Sequence, residues 1–279
     1  MRASPLYRRI ITASILIPPV VMGILLLPTA VLALLTGLVI ALGAWEWAVL
    51  VGLPRYGYVA LTGSALVVAW WFLQNSSTPM DLPTFGVAVW GLGLLVVWRY
   101  PRLPSWWWTR PTKVLAGVLV LVPAWASLIA LHGGHLPGAS DGPRYTLFLF
   151  ILVWAADSAA FFTGKKWGNR RLAPRVSPAK TMEGLWGAIV ATMAIAAGGA
   201  WWLGLGTQQW IPFAGLCVVT LLSSVLGDLF ESVIKRTQGA KDSGTLLPGH
   251  GGVLDRIDSL TAAAPVFVVG LVWLWRLAT

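Results

Sequence analysis

Between Gly227 and Leu260 the chain carries five of its ten acidic residues, Asp228, Glu231, Asp242, Asp255 and Asp258, together with the cations Lys235, Arg236, Lys241 and Arg256. Carboxylates are hard oxygen donors, and with clustered cations beside them they point to Mg²⁺ and a polyphosphate. The spacing strengthens this. Asp228 follows an apolar run, and on a continuing helix Ser232 and Lys235, at i+4 and i+7, fall on its face. Asp255, Asp258 and Ser259 repeat the arrangement at i, i+3 and i+4. Between the two lies Pro248-Gly249-His250-Gly251-Gly252, a turn expected to bring backbone N–H groups close to an anion. His250 serves there either as a phosphate or substrate contact or as a turn-stabilising hydrogen bond. Arg256, between two carboxylates, is read as orienting them.

Two more places carry ionisable groups in apolar surroundings. An ionised side chain inside a bilayer costs roughly 2.5–3.5 kcal/mol on insertion scales, so each needs a reason. Asp157 follows the run Tyr145 to Ala156 and precedes Phe161-Phe162 and Lys165-Lys166. A carboxylate there is expected to face a polar cavity and to join the site. Glu46, between Trp45 and Trp47, is read as a structural residue near the interfacial end of its span. The segment Gly164 to Gly184 carries six Lys/Arg; attraction to anionic headgroups accounts for Lys165, Lys166, Arg170 and Arg171.

The run Ser232-x-x-Lys235-Arg236-x4-Lys241-Asp242, continued by His250-Gly251-Gly252-x-x-Asp255-Arg256-x-Asp258, resembles the signature of the phosphatidate cytidylyltransferase (CDP-diglyceride synthase) family. Ser177-Pro178-Ala179-Lys180-Thr181-Met182-Glu183-Gly184 is similar to the family's S-P-K-K-T-x-E-G segment, with Ala179 in place of a lysine. Asp157-Ser158-Ala159-Ala160-Phe161 is similar to its D-S-G-A-Y segment, with a phenyl ring where the family has a phenol. The resemblance implies transfer of a cytidylyl group from CTP to phosphatidic acid, giving CDP-diacylglycerol and pyrophosphate with Mg²⁺, a second cation being compatible. It assigns the metal to Asp228 and Asp255. The reacting centre falls to those two residues with Lys235 and Asp258. Substrate contacts fall to Asp157, Ser177, Lys180, Thr181, Ser232, Arg236, Lys241, Asp242 and His250. Two other classes remain in play at this point, a CTP-dependent lipid or isoprenoid-alcohol kinase and an ion-coupled transporter.

Such residues need a frame, and the composition specifies it. Of 279 residues, 57% are hydrophobic and 11% charged, with mean hydropathy +0.75, which marks an all-α polytopic membrane protein. Nine apolar spans of about 20 residues are expected at 10–27, 29–50, 58–74, 85–98, 114–131, 145–163, 184–203, 210–227 and 260–278. Residues 1–144 hold membrane helices without a motif, and 145–279 form the catalytic region. With the N-terminus in the cytoplasm, 18 of the 20 Lys/Arg fall in cytoplasmic segments, only Arg144 and Arg276 lying outside. This positive-inside split explains the net charge of +10 without nucleic acid. It places the site on the cytoplasmic face of a bacterial-type inner membrane. The loop 132–144, with His132, His135 and Asp141, is read as a flexible external loop rather than a metal site. Cys217 is read as a buried packing residue and most of the 18 tryptophans as interfacial anchors. A homo-oligomer is compatible with all of this.

Overall fold

The computed structural model describes residues 17–76, 80–134, 136, 141–244, 246 and 251–278. Among these residues nine helices form. They are α1 (described over Ile17–Leu26), α2 (Thr29–Val51), α3 (Arg55–Asn75), α4 (Asp81–Arg99), α5 (Arg110–His132), α6 (Gly142–Trp167), α7 (Met182–Trp202), α8 (Trp210–Thr237) and α9 (Leu254–Ala278). Helices α2 to α9 are each long and apolar enough to cross a bilayer, so the chain is a polytopic integral membrane protein. The expected first span, 10–27, lies only partly within the described residues.

Local chemistry sets several helix ends. Asp141 accepts a hydrogen bond from the Arg144 N–H at the start of α6, and Thr181 accepts one from the Gly184 N–H at the start of α7. Each satisfies an N–H that has no partner within its helix. Helix α8 has 28 residues and is therefore about 42 Å long against a hydrocarbon core of about 30 Å. It continues well past the expected end at 227. Its last turns, from Asp228 to Lys235, project as the helical face anticipated above.

Helix pairs α8–α9 and α6–α7 make the broadest contacts, and α5 and α4 pack on α9. One apolar cluster joins α2, α3, α4 and α5 to α8 and α9; a second joins α5 to α9 at the other end of the bundle. Three tryptophans outside the anchor set are buried and donate to oxygens on other helices: Trp47 to Lys113 O, Trp90 to Thr261 O and Trp125 to Ala33 O. Trp71, Trp98, Trp106, Trp201 and Trp273 are exposed, as anchors would be. Cys217 is buried. His132 ends α5 and bonds Thr29 Oγ1 and Ile24 O through its two ring nitrogens. It fastens α5 to α1 and α2; His135 lies outside the described residues.

The helices carry the architecture, as expected of an all-α protein, and one short β-ribbon is added to them. Within the basic segment between Gly164 and Gly184, β1 (Arg171–Ala173) and β2 (Ser177–Thr181) pair antiparallel, with Arg171 opposite Thr181 and Ala173 opposite Ser177. The Glu183 carboxylate accepts from the Asn169 and Arg170 N–H groups, and Arg170 O accepts from the Met182 N–H. The basic segment is thereby tied to the start of α7 as a short ribbon, and Lys180 leaves it in a fixed direction.

Candidate active site

Ends of α2, α4, α6 and α8, starts of α3, α5, α7 and α9, and the β-ribbon all meet at one end of the bundle. There the face of α8 meets the first turn of α9. Lys235 Nζ donates to Glu231 Oε2 at 2.7 Å and to Asp255 Oδ1 at 2.6 Å. The residue is 8% exposed, so this three-membered ion cluster is largely shut off from water. The helical spacing makes it: Glu231 and Lys235 are one turn apart on α8, and Asp255 enters from the facing helix. Asp255 also accepts from the Ser243 and Gly252 N–H groups, so both of its oxygens are engaged.

A second pair lies beside the first and is more open. Lys180, at the exit of the β-ribbon, meets Asp228 Oδ2 at 2.5 Å, with side chains 24% and 30% exposed. Ser232 donates to Asp228 Oδ1 at 3.3 Å. Asp157, on an exposed part of α6, is within electrostatic reach of Lys180, Asp228 and Arg256. Asp258 contacts Glu231 and is within electrostatic reach of Asp228. Thus α6, the ribbon, α8 and α9 each deliver one charged group to a common space.

Other expected residues are occupied differently. Arg236 donates to Val176 O and Ala240 O, both at 3.2 Å, and so fastens the ribbon turn to the end of α8. Thr181 is buried as the cap of α7. Ser177 lies half-buried in β2, and Lys241 and Asp242 are exposed. His250 falls outside the described residues, with Pro248 and Gly249. The described amides after it do not form an open anion cradle: Gly252 N–H goes to Asp255, and Val253 and Leu254 N–H go to Glu46.

Glu46 is structural, as read, but the sequence did not reveal its partners. It is 2% exposed, shut in by protein near the end of α2. Its carboxylate accepts from Val253 N–H at 3.0 Å, Leu254 N–H at 2.8 Å and Ser243 Oγ at 3.2 Å. An anion at the N-terminus of α9 satisfies two helix-end amides and complements the helix dipole. The glycine pattern now has a steric cause. A Cβ on Gly252 would strike Ser243 Oγ and the Glu46 carboxylate, and Gly251 sits at φ 79°, a left-handed conformation that suits glycine. The available signal was that an acid inside an apolar span requires a partner; nothing local says that the partner lies some 200 residues away.

Glu46→Gln keeps the volume but turns one acceptor into a donor facing N–H groups. It is expected to cost about 2–3 kcal/mol of stability, the scale of hydrogen bonds to a charged group. Turnover should fall with it, because Asp255 loses its fixed loop. Thermal unfolding in detergent and steady-state kinetics read both. Unchanged melting and unchanged kinetics would exclude the clamp.

Comparison with known proteins agrees with this architecture. A profile of the cytidylyltransferase family matches residues 7–274. The chain is 42% identical over 271 residues to a phosphatidate cytidylyltransferase of Pseudomonas aeruginosa, covering 96% of this chain and 97% of that one. It is 38% identical over 283 residues to one of Haemophilus influenzae, covering 94% and 97%. A Bacillus subtilis protein of the same name is 44% identical over 127 residues, covering 44% and 46%. Since the match runs from residue 7 into α9 and so includes every described element of the site end, the chain belongs to the cytidylyltransferase family.

Proposed function

We propose that the protein transfers the cytidylyl group of CTP to phosphatidic acid, forming CDP-diacylglycerol and releasing pyrophosphate. The observation that carries this is the open Lys180–Asp228 pair, flanked by Asp157 and Asp258, at the end of a membrane bundle whose full-length relatives bear that activity as their name. A phosphate oxygen of the lipid attacks the α-phosphorus of CTP, and the bond from that phosphorus to the β-phosphate bridging oxygen breaks. A phosphate monoester is largely dianionic near neutral pH, its second pKa being about 6, so it needs no dedicated base. Bringing two anions together in line is the main task, and fixed cations perform it. Lys180 faces the reacting phosphates, the exposed Lys241 meets the departing pyrophosphate, and Lys235 holds Asp255 and Glu231 in place. Arg236 acts through the ribbon, which it fixes by Val176.

The residues fit a divalent cation. Glu231 Oε1 is buried without a hydrogen-bond donor among the described residues, and Asp258 lies against Glu231; two carboxyl groups in contact call for a proton or a cation nearby. Among the described residues no group of three or more acid, His or Cys side chains converges on a metal point. Mg²⁺ commonly needs only one or two carboxylates, with water and substrate phosphates completing its shell. Asp228 would hold the ion, with Asp258 on one side. Sharing by Asp255 requires part of its Lys235 contact to be released. Bound there, the ion supplies charge neutralisation at the phosphates.

The Lys/Arg split supports an N-terminus and a site in the cytoplasm, where CTP is found. In this reading residues 145–279 carry the reacting groups, and residues 1–144 support them through Glu46. The test uses purified full-length protein with labelled CTP and phosphatidic acid, following lipid product and pyrophosphate together. Equimolar CDP-diacylglycerol and pyrophosphate are expected, and in sealed inside-out vesicles externally added CTP should suffice. CDP with a phosphorylated lipid would make the protein a kinase; no nucleotide turnover would leave transport.

A further inference from the structure

A cavity of about 500 Å³ opens between the end of α4 and the turn of the β-ribbon, lined by Trp98, Arg99, Tyr100, Arg102 and Arg175. Its size falls within the range of roughly 300–1,000 Å³ usual for ligand pockets. Three of its five lining residues are arginines and none is acidic. Among the described residues none of these arginines is ion-paired. Charge of this sign is expected at this end of the bundle for topological reasons, but those reasons require no convergence. Here Arg175 arrives from a ribbon more than 70 residues beyond Arg99 and faces the same space. Exposed guanidinium groups that line one cavity, without carboxylate partners among the described residues, match a phosphate in charge and in fork geometry.

The depth of the cavity favours a particular source of phosphate. Arg99 is the last residue of a membrane-spanning helix, and its guanidinium lies 5.3 Å from the ring centre of Trp98. Trp98 is 71% exposed, as a residue at headgroup level would be. On the inner side, Tyr100 packs against the apolar cluster that also contains Ala173 and Val176. The cavity therefore has a protein wall behind it and the lipid interface in front. It is also linked to the reaction site: Arg175 precedes Val176, whose carbonyl accepts from Arg236 at the end of α8, and the same ribbon ends in Lys180 at Asp228.

We propose that this cavity binds the phosphate headgroup of an anionic phospholipid, as a site separate from the one where substrates react. The reading rests on the cavity alone and survives if the cytidylyl-transfer assignment fails.

The test compares wild type with Arg99→Gln/Arg102→Gln/Arg175→Gln, both full length, in nanodiscs of phosphatidylcholine containing a minor fraction of phosphatidylglycerol. Lipid retained after gentle detergent release is counted by native mass spectrometry. Wild type should retain phosphatidylglycerol on the order of tenfold or more above the triple variant. Turnover of both proteins at saturating substrate in neutral detergent should be alike. Equal retention by the two proteins would overturn the proposal. Displacement of the lipid by millimolar inorganic phosphate would overturn the lipid assignment, and collapse of turnover in the variant would overturn the separateness of the site.

Discussion

Lys235→Met is expected to lower stability by roughly 3–5 kcal/mol and to abolish turnover, the usual penalty for removing one partner of a buried ion pair. The ammonium bonds Glu231 and Asp255 at once, at 2.7 and 2.6 Å. Methionine fills much the same length without charge. It leaves two buried carboxylates with nothing between them, and Asp255 no longer has a cation holding it beside Ser243 and Gly252. Melting in detergent should fall by on the order of 10 °C. A second change separates charge from shape: Lys235→Met/Glu231→Gln removes one of the stranded charges. It should regain part of the lost melting temperature but no turnover, a coupling that independent sites would not show. A Lys235→Met protein that melts like wild type would sink the account of a buried, charge-balanced joint between α8 and α9.

How legible all this was depends on the range of the interaction. The helical face Asp228, Ser232, Lys235 follows from residues within two turns, and the structure continues α8 through it. The first turn of α9 likewise carries Asp255 and Asp258 one turn apart. Partners across elements were not legible. That Lys235 would face Asp255, and that Lys180 would meet Asp228, depends on which helices lie side by side, and spacing along the chain does not carry that. Glu46 is the extreme case, because its three donors come from Ser243, Val253 and Leu254. The glycine-rich turn was read as bringing N–H groups close to an anion; the anion that the described Gly252 amide meets is the Asp255 carboxylate, a partner the fold supplies. The β-ribbon was missed because strands of three and five residues, RLA and SPAKT, are too short to show apolar alternation. The resemblance assigned Arg236 a substrate contact; that its guanidinium also donates to two backbone carbonyls of the ribbon turn and the α8 end is not visible in the motif.

Asp228 and Asp255 were paired by sequence, and their environments set their expected variants apart. Asp228→Asn should leave the fold nearly intact, because its ion pair with Lys180 is part-exposed and such pairs contribute about 0–1 kcal/mol. Turnover should nonetheless fall roughly a hundredfold or more, or about 2.7 kcal/mol of transition-state stabilisation. The amide keeps the size and one oxygen but not the charge that fixes Lys180 and a divalent cation. Asp255→Asn should cost stability as well as turnover, since its carboxylate bonds Lys235 and two backbone N–H groups. A readout independent of turnover is the effect of Mg²⁺ on melting, because a ligand that binds the folded state raises its stability. Wild type should melt higher in Mg²⁺ than at equal ionic strength without it, and Asp228→Asn should lose most of that increment. If Asp228 and Asp255 act as one unit, the double variant should turn over little more slowly than the worse single one. Near-normal turnover in Asp228→Asn, or an undiminished response of its melting to Mg²⁺, would remove Asp228 from the metal side of the site.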